Sequence, residues 1–246
     1  MTAPDLVLRY GAGSDSLVDV HLPASRTPAP LVVLVHGGFW RAEYDRLHTR
    51  PMADALRDLG YVVATPEYRR TGSGGGWPAT FDDVVSVRQQ LPGLLSGAIP
   101  GRVAPDSTVL VGHSAGGHLA LWWSLTGAGE PVVALAPAAD LARAHADDLD
   151  GGAVAALLGG SPGEHPDRYA TADTARLLSS AATPPRVVVV HGTEDRQVPY
   201  AHSRGLAGVE LVTLEGSGHF ELIDPSSSQW PAVTRAVRRL VGGSAD

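Results

Sequence analysis

Short apolar, β-branched runs alternate along the chain with longer stretches of helical periodicity, which is the pattern of parallel strands joined by helical crossovers. Residues 31–35, 61–65, 108–112, 131–135, 186–190 and 209–213 are predicted strands. Several are apolar at consecutive positions rather than at every second one. Both faces of such strands are expected to be covered, as in a sheet sandwiched between helices. Residues 46–59, 78–91, 115–125, 199–207 and 228–241 read as helices, with Pro78 and Pro199 where a first-turn proline is tolerated. Residues 6–10 and 17–22 look like a leading antiparallel pair. Two segments break the rhythm, the Gly-rich loop 71–76 and a stretch at about 140–185 rich in Ala, Gly, Asp and Pro. The second is long for a connection and is expected to be a small lid insertion within a single α/β domain spanning 1–246.

Composition narrows the chemistry. Of 246 residues none is Cys and none is Lys, so all 19 basic residues are Arg. That removes thiolate nucleophiles, disulfides, Cys-ligated metals, Schiff bases and the P-loop lysine. The net charge of −7 argues against a nucleic-acid partner. Between Asp106 and Glu130 lie 23 uncharged residues, but Gly, His and Ser interrupt them, so a buried strand, turn and helix are expected rather than a membrane span. Asp5 and Arg9 interrupt any signal-peptide core, and a cytoplasmic location is the default expectation. None of the ten His falls in a His-Glu-x-x-His pattern, so a zinc hydrolase is not expected; no metal and no cofactor are expected for a serine hydrolase.

What remains for covalent catalysis includes Ser, and two Gly-x-Ser-x-Gly matches occur, Gly112-His-Ser-Ala-Gly116 and Gly159-Gly-Ser-Pro-Gly163. A nucleophile elbow must follow a strand, open a helix and offer the N–H of the next residue to a developing oxyanion. Ser161 fails, because Pro162 has no N–H and no strand precedes it. Ser114 meets each condition. A Ser hydroxyl needs an imidazole base, itself oriented by a carboxylate, and in α/β-hydrolases the chain order is Ser, acid, His. Asp195, after the strand 186–190, and His219, flanked by glycine after the strand 209–213, fit that order at predicted strand C-termini, where parallel sheets place ligands. Asp195 is preferred to Glu194, with Asp140 as reserve acid. His191, His202 and His113 are rivals to His219, the last expected to point away from the reaction.

The strand 31–35 runs into His36-Gly-Gly-Phe-Trp40, a Gly-rich turn whose N–H groups can converge with that of Ala115. This His-Gly-Gly-x-Trp pattern resembles the oxyanion motif of the arylformamidase (kynurenine formamidase) branch of the α/β-hydrolase fold, and is similar to the His-Gly-Gly-Gly motif of hormone-sensitive-lipase-like esterases. Tyr68-Arg69 followed by Trp77-Pro-Ala-Thr-Phe-Asp-Asp83 resembles a further stretch of those esterases. The resemblance implies an α/β-hydrolase fold, an oxyanion hole of Gly38, Phe39 and Ala115, and a small ester or N-formyl aryl amide as substrate. Trp40, Tyr68, Trp77 and Phe220 are candidate pocket residues, with sheet covering the alternative for Trp40 and Trp77. Arg69, Arg70, Arg143, Arg168 and Arg196 are candidates to hold a substrate carboxylate. Alternatives are a prolyl-oligopeptidase-like peptidase, since His191-Gly-Thr-Glu-Asp-x-x-Val-Pro resembles that family too, and a non-catalytic receptor on the same scaffold.

Overall fold

A computed structural model describes residues 3–242. Eight strands, β1 (Leu6–Arg9), β2 (Leu17–His21), β3 (Ala29–Val35), β4 (Val62–Pro66), β5 (Val103–His113), β6 (Val132–Leu135), β7 (Val187–Gly192) and β8 (Glu210–Leu214), form one sheet in the order β1-β2-β4-β3-β5-β6-β7-β8. β1 and β2 are antiparallel and β2 pairs antiparallel with β4, whereas β3 to β8 are parallel. This is the α/β-hydrolase architecture expected from the sequence.

Consecutive apolar residues in the strands serve two cores. Leu31, Val33 and Val35 of β3 point into one, Val32 and Leu34 into the other, and β7 divides Val187 and Val189 from Val188 and Val190 in the same way. Helices α1 (Arg50–Asp58) and α9 (Trp230–Val241) close the second core with Met52, Ala53 and Leu56 and with Val233, Ala236, Val237 and Leu240, each set on one helical face. Helices α2 (Ala79–Ala98) and α3 (Ala115–Thr126) close the first; α3 is buried along nearly its whole length and accordingly apolar all round.

Three boundaries depart from expectation for physical reasons. β5 begins at Val103 rather than near 108, because Asp106 at φ 53° inserts an irregularity through which pairing with β3 resumes. α2 runs past Pro92, where the sequence predicted a stop. Leu91 and Leu95 lie one turn apart on its buried face, offsetting the hydrogen bond that proline removes. The helix expected at 199–207 shortens to α8 (Ala201–Arg204), ended by Gly205.

The segment 140–185 folds into four short helices, α4 (Leu141–Ala146), α5 (Ala153–Leu158), α6 (Pro166–Ala172) and α7 (Thr174–Ser180). It docks on α3, where Trp122 Nε1–H donates to Thr171 O at 3.0 Å and His118 Nε2–H donates to Ala172 O at 2.9 Å.

Candidate active site

Between β5 and α3 the chain turns at Ser114, whose φ of 56° and ψ of −121° lie outside the regions a non-glycine residue favours. The turn is possible because its flanks are glycine. A Cβ on Gly112 would stand 2.2 Å from Gly116 O, and one on Gly116 would stand 2.2 Å from Val35 O. The elbow is therefore wedged against the end of β3, which delivers the His36–Trp40 loop beside it.

That loop is also strained: Gly38, Phe39 and Trp40 have φ of 110°, 47° and 57°. It is held by Arg41 N–H to Gly38 O at 2.9 Å and by Thr71 N–H to Trp40 O at 2.8 Å. Its shape turns backbone donors away from internal partners. Among the described residues none accepts a hydrogen bond from the N–H of Gly38, Phe39 or Ala115.

β7 and β8 bring the acid and the imidazole together. Their following turns lie backbone to backbone: Glu194 N–H donates to Ser217 O at 2.9 Å, and a Cβ on Gly192 would stand 2.2 Å from that same oxygen. In this frame Asp195 Oδ1 accepts the N–H groups of Gln197 and Val198, both at 2.9 Å. Asp195 Oδ2 accepts His219 Nδ1–H at 2.5 Å. With Nδ1 carrying the proton for this bond, Nε2 is the ring's acceptor. His191 approaches the same carboxylate oxygen at 3.2 Å and donates Nε2–H to Val198 O at 2.9 Å. Burial alone would raise the Asp195 pKa, but the hydrogen bonds from His191 and His219 and from the backbone hold it well below the usual carboxylate range.

Ser114 and His219 line one cleft of about 130 Å³, together with Gly38, Phe39, Tyr44, His113, Asp150, Gln197 and Phe220. Of the four candidate pocket side chains Phe220 is there, 59% exposed. The other three are elsewhere. Trp40 is 1% exposed and packs edge-on against His118. Tyr68 is stacked on His36 and donates its hydroxyl to His36 O, and Trp77 packs on Phe81. None of the three lines the cleft.

His113 differs from expectation in the opposite direction. Its ring lies 4.4 Å from that of His219, and its Nε2–H donates to His219 O at 3.0 Å. Burial, and then the neighbouring His219, push its pKa well below the ordinary value, so it is neutral. Asp140 is instead the N-cap of α4, accepting Arg143 N–H. His202 bonds Asp147, and Ser161 bonds Glu164 in an exposed turn. Tyr44, Asp150 and Gln197 went unread; Gln197 alone carried a signal, from its place two residues beyond Asp195. No cluster of metal-ligating side chains occurs among the described residues.

Three comparisons extend this picture. The model of the BD-FAE family matches residues 18–209. The chain is 24% identical over 247 residues to a probable isoprenylcysteine alpha-carbonyl methylesterase of Oryza sativa subsp. japonica, covering 87% of this chain and 57% of the relative. It is 32% identical over 130 residues to a non-reducing polyketide synthase of Aspergillus calidoustus, covering 48% of this chain and 5% of that one. The chain thus spans little more than half of one relative and a small part of the other. Among solved structures it is similar to Esterase B from Lactobacillus rhamnosis, with a TM-score of 0.78 and 19% identity over 98% of this chain and 88% of that one.

Proposed function

The chain belongs to the BD-FAE family, and on that premise we propose that it is a serine hydrolase of small carboxylic esters, working through an acyl-enzyme on Ser114. One observation carries the reading: a single cleft holds Ser114 on a strained elbow and the imidazole of His219, whose Nδ1 is tied to buried Asp195. In acylation Ser114 Oγ attacks the ester carbonyl carbon while His219 Nε2 accepts the hydroxyl proton. The negative charge on the carbonyl oxygen is met by the unpaired N–H groups of Phe39 and Ala115, with Gly38 beside them. Collapse expels the alcohol, which takes its proton from His219. Water then repeats the sequence, the acid is released and Ser114 is regenerated. Asp195 keeps His219 in the tautomer that presents Nε2 and stabilises the imidazolium.

The relatives named as a methylesterase and an esterase support ester cleavage. The cleft volume favours a short acyl group, and a formyl group is the smallest, so uncharged N-formyl aryl amides belong to the same reading. The 140–185 segment acts as a cap that contributes one wall through Asp150. Initial rates on p-nitrophenyl acetate, butyrate and octanoate and on formanilide test the assignment. Turnover falling with acyl length, and abolished in Ser114→Ala, is expected. Equal rates in wild type and Ser114→Ala would refute it.

A further inference from the structure

Building on the ester-hydrolase reading, we propose that the cleft selects substrates by charge: it takes esters bearing an alkylammonium or an uncharged group and rejects those bearing a carboxylate, with Asp150 as the specificity-determining residue.

The sequence alone suggested the opposite, an arginine fork for a substrate carboxylate. In the fold those forks are occupied. Arg69 holds both oxygens of Asp83, at 2.7 and 2.8 Å. Arg70 lies buried between Tyr44 O and Asp15, Arg143 donates to Ala201 O, and Arg168 to Leu158 O. Arg196 is exposed on the Asp195 turn but is not among the residues lining the cleft.

Setting the imidazoles aside, Asp150 is the charged side chain that lines the cleft. It is fixed there. Arg41, just beyond the strained loop, donates Nε–H to Asp150 Oδ2 and Nη2–H groups to the main-chain oxygens of Asp150 and Gly151. Among the described residues Asp150 Oδ1 has no hydrogen-bond partner, and Asp150 itself sits at φ 50°, a conformation the clamp sustains. Asp150 lines the cleft and Arg41 does not, so of the pair it is the aspartate that borders the site. The aromatic rings of Phe39, Tyr44 and Phe220 share the lining, with Tyr44 and Phe220 more than half exposed. Aromatic faces beside a carboxylate attract a cation and tolerate an apolar group, while an anion there meets the Asp150 carboxylate, whose charge the Arg41 ion pair reduces.

Three butyryl thioesters of matched size separate the charges: butyrylthiocholine, its uncharged 3,3-dimethylbutyl analogue and S-butyryl-3-mercaptopropionate. In the wild type kcat/KM for the ammonium substrate is expected to exceed that for the carboxylate by about tenfold at 20 mM NaCl and by about two- to threefold at 0.5 M. Asp150→Asn should reduce the low-salt ratio to about threefold, with each rate taken relative to that of the uncharged substrate in the same variant. Arg196→Gln should leave the preference in place. A wild type that favours the carboxylate, or a ratio that Asp150→Asn does not change while the uncharged substrate is turned over, overturns the proposal and leaves the hydrolase reading standing. Failure of the wild type on all three substrates overturns both.

Discussion

Ser114 and His219, which line one cleft, and Asp195, which bonds His219, could be picked out in the sequence because each carries a local signature: a strand, a tight turn, and the residue type the proposed chemistry needs. What surrounds them was not. His113 was expected to turn away, yet it donates to the main chain of His219, a contact across 106 residues that no local pattern reports. We expect His113→Phe to lower kcat by about ten- to hundredfold with KM little changed, since the imidazole of His219 loses its support rather than its substrate. His113→Gln, which keeps a donor, should recover part of the loss. Asp195→Asn should be harsher, lowering kcat by about 10³- to 10⁴-fold, because an amide can no longer hold His219 in the Nδ1–H tautomer. Steady-state kinetics at neutral pH measures both.

At the scale of elements, the two-core division follows from apolar runs at consecutive positions, and the approximate limits of the strands could be read directly. The four helices of 140–185 could not, because each is only six or seven residues long and relies on its neighbours, on one another and through α7 on α3, for packing. Trp40 and Tyr68 misled for a related reason: proximity to a strand end in sequence does not say which side of the sheet a ring will enter. The joint between β3 and β4 shows how the loop of the site is anchored. Glu67, 2% exposed, accepts His36 Nε2–H and Arg46 N–H, both at 2.9 Å. Burial raises its pKa, but His36, Arg46 and Arg70 outweigh that and leave it at about 2. Gly112→Ala probes the neighbouring joint, where the added methyl would meet backbone at 2.2 Å. It should fail to fold or lose about 3 kcal/mol or more, read from urea unfolding.

For the molecule as a whole, two buried groups set the same direction of pH dependence. Burial lowers the pKa of His118 from 6.5 to about 4, and Glu67 is lowered from 4.5 to about 2. In each case the unfolded chain binds protons that the folded chain does not, so stability is complete at high pH and falls with acid. The His118 contribution is lost between pH 6.5 and about 4 and that of Glu67 between 4.5 and about 2, each worth up to about 3 kcal/mol. Urea midpoints should decline steadily from pH 7.5 to pH 3, with a shallower decline from 7 to 4 in His118→Gln. No described helix is long and apolar enough to cross a membrane. Every step of the proposed reaction depends on Ser114 being the nucleophile. Intact mass after exposure to a fluorophosphonate, with peptide mapping of the adduct, decides it. A single adduct on Ser114, absent in Ser114→Ala and retained in Ser161→Ala, is predicted; an unmodified wild type, or an adduct on any other residue, would contradict it.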